Sequence, residues 1–166
     1  MNIQILKKAI ETYGEEPQIR QCMEECAELI SALTDYAESE EMDTDNLIEE
    51  MADVLITCKQ VELIVKDYAM EPIATQFLYA NKGVTCNKTI KELAEFIKTL
   101  NKHLRGKKIP SYEICWQISK ITIQFAYLTE VLKLDGVSNI EKEINKKIKF
   151  KINRLKERLE DENLSK

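Results

Sequence analysis

Apolar residues recur along most of the chain at spacings of three and four, which is typical of amphipathic α-helices. The pattern predicts six main helices, at about residues 2–13, 15–37, 46–68, 88–104, 111–133 and 139–162. Helix-breaking residues are rare, since the 166 residues include only 4 Gly and 3 Pro. We therefore predict an all-α protein, a helical bundle of about six helices that forms a single domain.

Polar and helix-breaking residues mark the predicted helix boundaries. Gly14 is expected to end the first helix, and the run that begins at Asp43 is expected to cap the third. Residues 70–87 interrupt the apolar pattern and predict a linker, in which residues 76–79 are a candidate short helix. We expect Phe77 and Tyr79 in this linker to pack against the core, with stacking on a nucleobase as the alternative.

The third predicted helix is apolar around most of its circumference, which indicates a largely buried helix. Its polar positions form one narrow stripe, made of Glu50, Asp53, Thr57 and Gln60. A buried carboxylate is costly unless it is paired with a positive group or bound to a metal ion. The acids of this stripe are therefore candidates for a chemical role.

Two short acidic motifs lie on the second and third predicted helices. They place pairs of carboxylates three residues apart, and such pairs share one helix face. The connection between these helices is short, so we expect an antiparallel hairpin in which four carboxylates converge. Four carboxylates so close together cannot all stay ionised unless a cation lies between them. Carboxylate oxygens are ligands that suit Mg²⁺, and Mn²⁺ is a possible substitute. The candidate metal ligands are Glu25, Glu28, Glu50 and Asp53. A solvated acidic helix face is the alternative for the first motif.

The order Glu24-Glu25-x-x-Glu28, then 21 residues, then Glu50-x-x-Asp53 resembles the signature of the MazG-like all-α NTP pyrophosphohydrolases, a superfamily that includes the dimeric dUTPases. The resemblance covers roughly residues 4–68. It implies a Mg²⁺-dependent hydrolase that converts a (d)NTP and water to (d)NMP and pyrophosphate, in nucleotide-pool house-cleaning or as a dUTPase-like or dCTPase-like enzyme. A spare carboxylate, Glu24 or Glu49, would then act as the general base. Association of two chains as a homodimer is a further expectation.

The last predicted helix carries a basic stripe beside its apolar seam. Lysine and arginine at such positions can hold phosphate oxygens, and arginine can do so with two parallel hydrogen bonds. The candidate phosphate-binding residues are Lys147, Lys151 and Arg154, in a stripe that continues to Arg158, together with Gln21 upstream of the first acidic motif. The more common explanation of such a stripe is a solvated amphipathic helix, and Gln21 can equally be a surface residue.

Charge is distributed unevenly along the chain. Residues 1–85 carry a balance of −12 and residues 86–166 a balance of +7, which together give the net charge of −5. This asymmetry suits a metal–phosphate ligand held between the halves, although attraction between the halves or contacts with a partner would suit it equally. The overall acidity argues against a dedicated nucleic-acid-binding protein. Neither a membrane span nor a signal peptide is predicted, so a cytoplasmic location is the default.

The second half of the chain, about residues 88–162, aligns with the first half, about residues 1–69, and suggests a degenerate tandem repeat. Glu92 and Glu95 align with the first pair of acids, whereas Gln117 and Lys120 replace the second pair. The second metal site would therefore be lost, and Lys120 is expected to pair with Glu92 or Glu95. The alternative is that two unrelated helical hairpins of similar composition align by chance.

Other catalytic and metal sites are less well supported by the sequence. The five cysteines are expected to be buried reduced thiols, since no second cysteine pair or nearby histidine completes a zinc site with Cys22 and Cys26. The single histidine, His103, is expected at the surface. Neither a nucleophile elbow nor a phosphate-binding loop is present. The alternative to a hydrolase is a non-catalytic helical interaction module with an acidic binding face.

Overall fold

The structure, a computed structural model, describes residues 1–38, 43–67 and 81–164. The described residues form six helices and no strand: α1 (Ile3–Tyr13), α2 (Glu15–Glu38), α3 (Thr44–Val65), α4 (Lys82–Leu104), α5 (Ser111–Leu134) and α6 (Ile140–Leu164). The all-α bundle predicted from the apolar periodicity is confirmed. Not one of these six helices has the length and apolar composition that would let it span a bilayer.

The helices pair into two antiparallel hairpins that pack on each other. In the hairpin of α2 and α3, Gln60 near the end of α3 donates a hydrogen bond to Gln18 near the start of α2. In the hairpin of α4 and α5, Lys120 donates to Glu92 at 3.2 Å. α2 packs against α4 and joins the hairpins, and α6 lies against α3 and α1. The acidic motifs of α2 and α3 and the basic stripe of α6 are thereby brought together.

Large apolar side chains from both hairpins form the main core. Its largest fully buried side chains from α2 to α5 are Leu29, Leu33, Leu47, Met51, Leu93, Phe96, Leu100, Ile114, Ile121, Leu128 and Leu132. Each such side chain stabilises the fold by roughly 1.5–3 kcal/mol through removal of apolar surface from water. Because this burial fixes the rotation of α2 and α3 about their axes, it also fixes where their acidic faces point.

The helix ends mostly follow the predicted signals. Gly14 ends α1 with a φ of 94°, a conformation that an L-residue with a side chain rarely adopts. The side chain of Asp43 accepts a hydrogen bond from the backbone N–H of Asn46 at 3.0 Å, as expected for the cap of α3.

The predicted start of α4 at residue 88 is wrong. The helix begins at Lys82, because the side chain of Asn81 caps it by accepting a hydrogen bond from the backbone N–H of Val84 at 3.1 Å. Gly83 therefore lies in the first turn and does not break the helix. Residues 82–87 of the predicted interruption are therefore helical. The candidate short helix at 76–79, with Phe77 and Tyr79, falls outside the described residues.

All five cysteines are buried and free, as predicted. They lie on helix faces that contact the core, where a thiol acts as a small apolar group. His103, expected at the surface, is partly exposed near the end of α4. The structure therefore assigns the cysteines to packing.

A tyrosine connects the end of α2 to the end of the second hairpin. Tyr36 is only 3% exposed, its hydroxyl donates to Oδ2 of Asp135 at 2.5 Å, and the Lys82 ammonium lies 4.2 Å from its ring centroid. We expect Tyr36→Phe to lower the free energy of unfolding by about 1 kcal/mol, because one hydrogen bond is lost while the ring is kept. Urea denaturation measures the change.

Tyr112 provides the matched control for this substitution, since its side chain is 70% exposed. Tyr112→Phe is expected to change the free energy of unfolding by less than about 0.5 kcal/mol, as is usual for surface positions. Equal effects of the two substitutions would contradict a stabilising role of the Tyr36 hydroxyl.

Candidate functional site

Three carboxylates from two helices converge at one place on the hairpin of α2 and α3. Glu25 and Glu28 of α2 and Glu50 of α3 each have an oxygen within 4.8 Å of the others. The first two share a helix face because they are three residues apart, and the antiparallel packing brings the third opposite them. Glu25 and Glu50 are half-buried, whereas Glu28 is exposed. These are three of the four residues predicted as metal ligands.

Asp53, the fourth predicted ligand, does not belong to this group of three carboxylates. Asp53 lies one turn further along α3 and lines a surface cavity together with these three carboxylates. Its Oδ2 accepts a hydrogen bond from the ammonium of Lys151 on α6. The structure therefore places Asp53 beside the carboxylate group but pairs it with a lysine.

The group of three carboxylates is electrostatically strained. Burial raises the pKa of Glu25 to about 7, and the negative charges of Asp53, Glu28 and Glu50 contribute to that rise. A hydrogen bond from Gln21 at 3.3 Å opposes it only partly. The pKa of Glu50 is also raised, by burial first and then by Glu28 and Asp53. Close carboxylates of this kind are relieved by protonation or by a cation.

One oxygen at this site lacks a hydrogen-bond partner. Glu50 Oε2 is buried and has no partner among the described residues. A buried carboxylate oxygen without a partner is costly, so this atom is free to bind an incoming positive group. Together with the all-oxygen donor set, it fits a hard divalent cation such as Mg²⁺ or Mn²⁺.

Two lysines of α6 reach the acids of α3. The Lys147 ammonium donates to Asp45 at 2.7 Å and to Glu49 Oε2 at 3.0 Å. The Lys151 ammonium donates to Glu49 Oε1 at 2.9 Å as well as to Asp53. Hydrogen bonds from Lys151 and Lys147 lower the pKa of Glu49. Both lysines, predicted to bind phosphate, are thus paired with carboxylates in the structure.

The pKa of Lys151 shows how strong this pairing is. Burial lowers the pKa of its ammonium, but the hydrogen bonds to Asp53 and Glu49 outweigh burial and raise the pKa overall. The ammonium therefore stays charged at the centre of the contact between α3 and α6. Any ligand that binds this ammonium must compete with the carboxylates of Asp53 and Glu49.

Two arginines complete the positive side of the site. Arg154 and Arg158 are exposed and line a cavity of about 390 Å³, together with the acids of both helices. The guanidinium carbon of Arg154 lies 5.8 Å from the ring centroid of Phe150. Arg158 lay in the predicted basic stripe but was not singled out as a ligand, although its spacing of four from Arg154 puts both residues on one face.

A larger cleft of about 720 Å³ adjoins the same acids and shares several lining residues with the smaller cavity. It also has a neutral part, whose lining includes Tyr13, Gln18, Ile56, Gln60 and Leu155. Its volume is in the usual range for a pocket that holds a small organic ligand. Sequence reasoning missed Tyr13 and Gln60 as lining residues, because their positions depend on how α1 and α3 meet α6.

The two predicted candidate bases occupy different surroundings. Glu24 is exposed and lines the larger cleft, whereas Glu49 lines the smaller cavity. Gln21, a predicted substrate contact, lines both. In the second hairpin, Glu92 pairs with Lys120 at 3.2 Å, so the predicted ion pair is confirmed.

Comparisons of the chain with protein-family models, with curated proteins and with solved structures find no match. The function therefore has to be inferred from the residues that meet at this site.

Proposed function

We propose that this chain is a Mg²⁺-dependent (d)NTP pyrophosphohydrolase, which cleaves the α–β phosphoanhydride and yields (d)NMP and pyrophosphate. The observation that carries the proposal is the convergence of Glu25, Glu28 and Glu50 within 4.8 Å, beside a basic helix. The resemblance of the two acidic motifs to those of MazG-like NTP pyrophosphohydrolases supports it. A role in nucleotide-pool house-cleaning would fit this activity.

The three converging carboxylates would hold the metal ion. Glu25, Glu28 and Glu50 offer oxygen ligands only, and one oxygen of Glu50 has no other partner among the described residues. When bound, Mg²⁺ supplies a positive charge that offsets the phosphate charge and makes water more acidic. Mn²⁺ has the same preference for oxygen ligands and would substitute for it.

The basic residues of α6 would bind the phosphate groups. Arg154 and Arg158 line the cavity next to the acids, and their planar guanidinium groups match phosphate oxygens. Lys151 and Lys147 lie about one and two turns nearer the start of α6 than Arg154, and Gln21 of α2 lines the cavity together with Lys151. These groups would hold the triphosphate in place, and such positioning supplies much of the rate in phosphoryl transfer.

Glu24 is the better candidate for the general base. Its carboxylate lines the larger cleft, whereas two lysines lower the pKa of Glu49 and make that carboxylate a weaker base. In the proposed reaction a water oxygen attacks the α-phosphorus, and its proton passes to Glu24. The bond from the α-phosphorus to the bridging oxygen breaks, and pyrophosphate leaves with that oxygen. Glu49 would instead hold the lysines in position.

The neutral part of the larger cleft would receive the nucleoside. Tyr13 offers an aromatic ring there, beside Gln18 and Gln60, which are buried and hydrogen-bonded to each other. An aromatic ring can stack on any nucleobase, and the proposed dUTPase-like or dCTPase-like preference rests on the resemblance of the acidic motifs. The identity of the base is a matter for a substrate panel.

The test is hydrolysis of a panel of ribonucleoside and deoxyribonucleoside triphosphates, including dUTP and dCTP. With Mg²⁺ we expect equimolar (d)NMP and pyrophosphate, and with a chelator we expect no turnover above background. Chromatography of the nucleotides and a coupled pyrophosphate assay measure the products. Release of orthophosphate and (d)NDP, or background rates on every substrate, would contradict the proposal.

A further inference from the structure

Lys151 occupies an unusual position between the two acidic motifs and α6. Its ammonium hydrogen-bonds both Asp53 and Glu49, and the side chains of Lys151 and Asp53 are only 20% and 17% exposed. Asp53 is the member of the two acidic motifs that faces the site yet lies outside the group of three converging carboxylates. Asp53 is thus close enough to Glu25 and Glu50 for its charge to raise the pKa of both, but its hydrogen bond goes to the lysine.

We propose that Lys151 is a positioning residue that keeps Asp53 from acting as a metal ligand. Asp53 is released when the phosphate oxygens of a bound triphosphate replace it as acceptors for the Lys151 ammonium. This inference rests on the proposed function. In the ligand-free protein the ammonium acts as an internal cation for Asp53. When phosphate oxygens draw the ammonium away, Asp53 loses its positive partner, and a carboxylate left so close to Glu25 and Glu50 needs another cation.

The charges on α6 make this exchange favourable. A triphosphate carries several negative charges and strong acceptor oxygens, so it competes well for an ammonium held by two singly charged carboxylates. Arg154 and Arg158 line the same cavity and would bring the phosphates within reach of Lys151. The exchange leaves every charged group paired, because Lys151 gains phosphate and Asp53 gains the metal ion.

The expected consequence is coupling between metal and substrate. Glu25, Glu28 and Glu50 would hold Mg²⁺ in the absence of substrate, and Asp53 would become available as a fourth ligand only when the triphosphate is bound. Each ligand then strengthens binding of the other, as linkage requires. The fully assembled site would exist only in the presence of the compound it hydrolyses.

Titration with Mg²⁺ alone tests whether Lys151 keeps Asp53 from binding the metal ion. We expect Lys151→Met to bind Mg²⁺ about tenfold more tightly than the wild type, since Asp53 becomes free to act as a ligand. Lys147→Met is the matched control, because Lys147 lies one turn away and contacts Asp45 and Glu49 but not Asp53. It is expected to change Mg²⁺ affinity by less than about twofold.

A double-mutant cycle separates this mechanism from a simple loss of positive charge. If Lys151 acts through Asp53, the tighter Mg²⁺ binding of Lys151→Met should disappear when Asp53→Asn is also present. If the tighter binding came only from removing the repulsion between the ammonium and Mg²⁺, Lys151→Met would still tighten Mg²⁺ binding in the Asp53→Asn background. Circular dichroism and thermal unfolding of each variant confirm that the fold is kept.

Carbon NMR of the Asp53 carboxyl group tests whether a bound triphosphate releases Asp53 to the metal ion. The signal is assigned by its loss in Asp53→Asn. In the wild type we expect a large shift with Mg²⁺ and inorganic tripolyphosphate together, and little shift with Mg²⁺ alone. In Lys151→Met, Mg²⁺ alone should produce the large shift. Unchanged or weaker Mg²⁺ binding by Lys151→Met would overturn the inference while leaving the hydrolase proposal intact. Failure of the wild type to bind Mg²⁺ or hydrolyse any triphosphate would overturn both.

Discussion

Replacing Glu50 with glutamine is expected to lower kcat/KM for (d)NTP hydrolysis by about 10³-fold, or ~4 kcal/mol of transition-state stabilisation. Glu50 is the one carboxylate that α3 contributes to the convergent group, and its Oε2 is buried without a partner among the described residues. Glutamine keeps the shape of the side chain but removes the charge. The metal ligand is lost while the packing of α3 is preserved.

The control is Glu92→Gln, the same change of residue type in the second hairpin. Glu92 pairs with Lys120 and lies outside the proposed site, so its substitution should leave kcat/KM within about twofold of the wild type. Initial rates at saturating Mg²⁺, together with calorimetric Mg²⁺ titration, measure both variants. A Glu50→Gln enzyme with wild-type activity would exclude the proposed metal site.

Replacing Glu25 with glutamine is expected to lower the rate of hydrolysis and to raise the stability of the metal-free protein. Hydrolysis should fall by about 10²-fold, since a second ligand to the metal is neutralised. Without metal, the melting temperature should rise at about pH 8, because the repulsion among Glu25, Glu28 and Asp53 is relieved. At about pH 5 the same substitution should have little effect on stability, because Glu25 is already protonated there.

The sign of this pH dependence follows from the raised pKa of Glu25. Its pKa is about 7 in the folded protein and near the ordinary value of 4.5 in the unfolded chain. Between these values the folded state binds more protons, so the stability of the metal-free protein falls as pH rises from about 4.5 to about 7. Glutamine cannot ionise, so this contribution is absent from the variant. Thermal unfolding with a chelator, followed across this range, measures the difference.

Glu95 on α4 provides a contrasting control. It pairs with Lys98 at 3.1 Å, and that hydrogen bond lowers its pKa. Glu95→Gln should therefore bring no gain in melting temperature at about pH 8, since no like-charge repulsion is removed. Added Mg²⁺ should stabilise the wild type and Glu95→Gln alike, but Glu25→Gln much less. A gain in Glu25→Gln that is equal at both pH values would rule out ionisation of Glu25 as its cause.

The acidic group illustrates how a site can be built at the expense of stability. Glu25 and Glu50 lie on helices that also carry Leu29, Leu33 and Met51, all fully buried. Burial of such side chains stabilises the hairpin enough to hold like charges together. The lysines of α6 offset part of the repulsion. A bound cation would offset the remainder, so metal binding and stability should rise together.

Much of the architecture was predictable because helices are specified locally. Apolar residues three and four apart predicted all six helices, and the short polar segment before α3 indicated an antiparallel hairpin. The missed start of α4 also has a local cause. The side chain of Asn81 caps the helix within the stretch that the apolar pattern assigns to a linker, so the helix starts six residues earlier than predicted.

The site was predictable only in part. The spacing of Glu25 and Glu28 places both on one helix face whatever the rest of the chain does, and the same holds for Glu50 and Asp53. Which acids meet across the helices depends on the rotation of α2 against α3. That rotation is decided by packing in the core, so three acids converge while Asp53 turns towards α6.

The sequence by itself determined six amphipathic helices, two acidic motifs and one basic stripe, because each depends on residues within a few turns of one another. Only the tertiary structure decided that the stripe contacts the acids, since Lys147 and Lys151 lie about a hundred positions further along the chain than Glu49. It also decided that the lysines pair with Glu49 and Asp53. Contacts between residues so far apart follow from the summed burial of apolar surface on every helix, which no local pattern specifies.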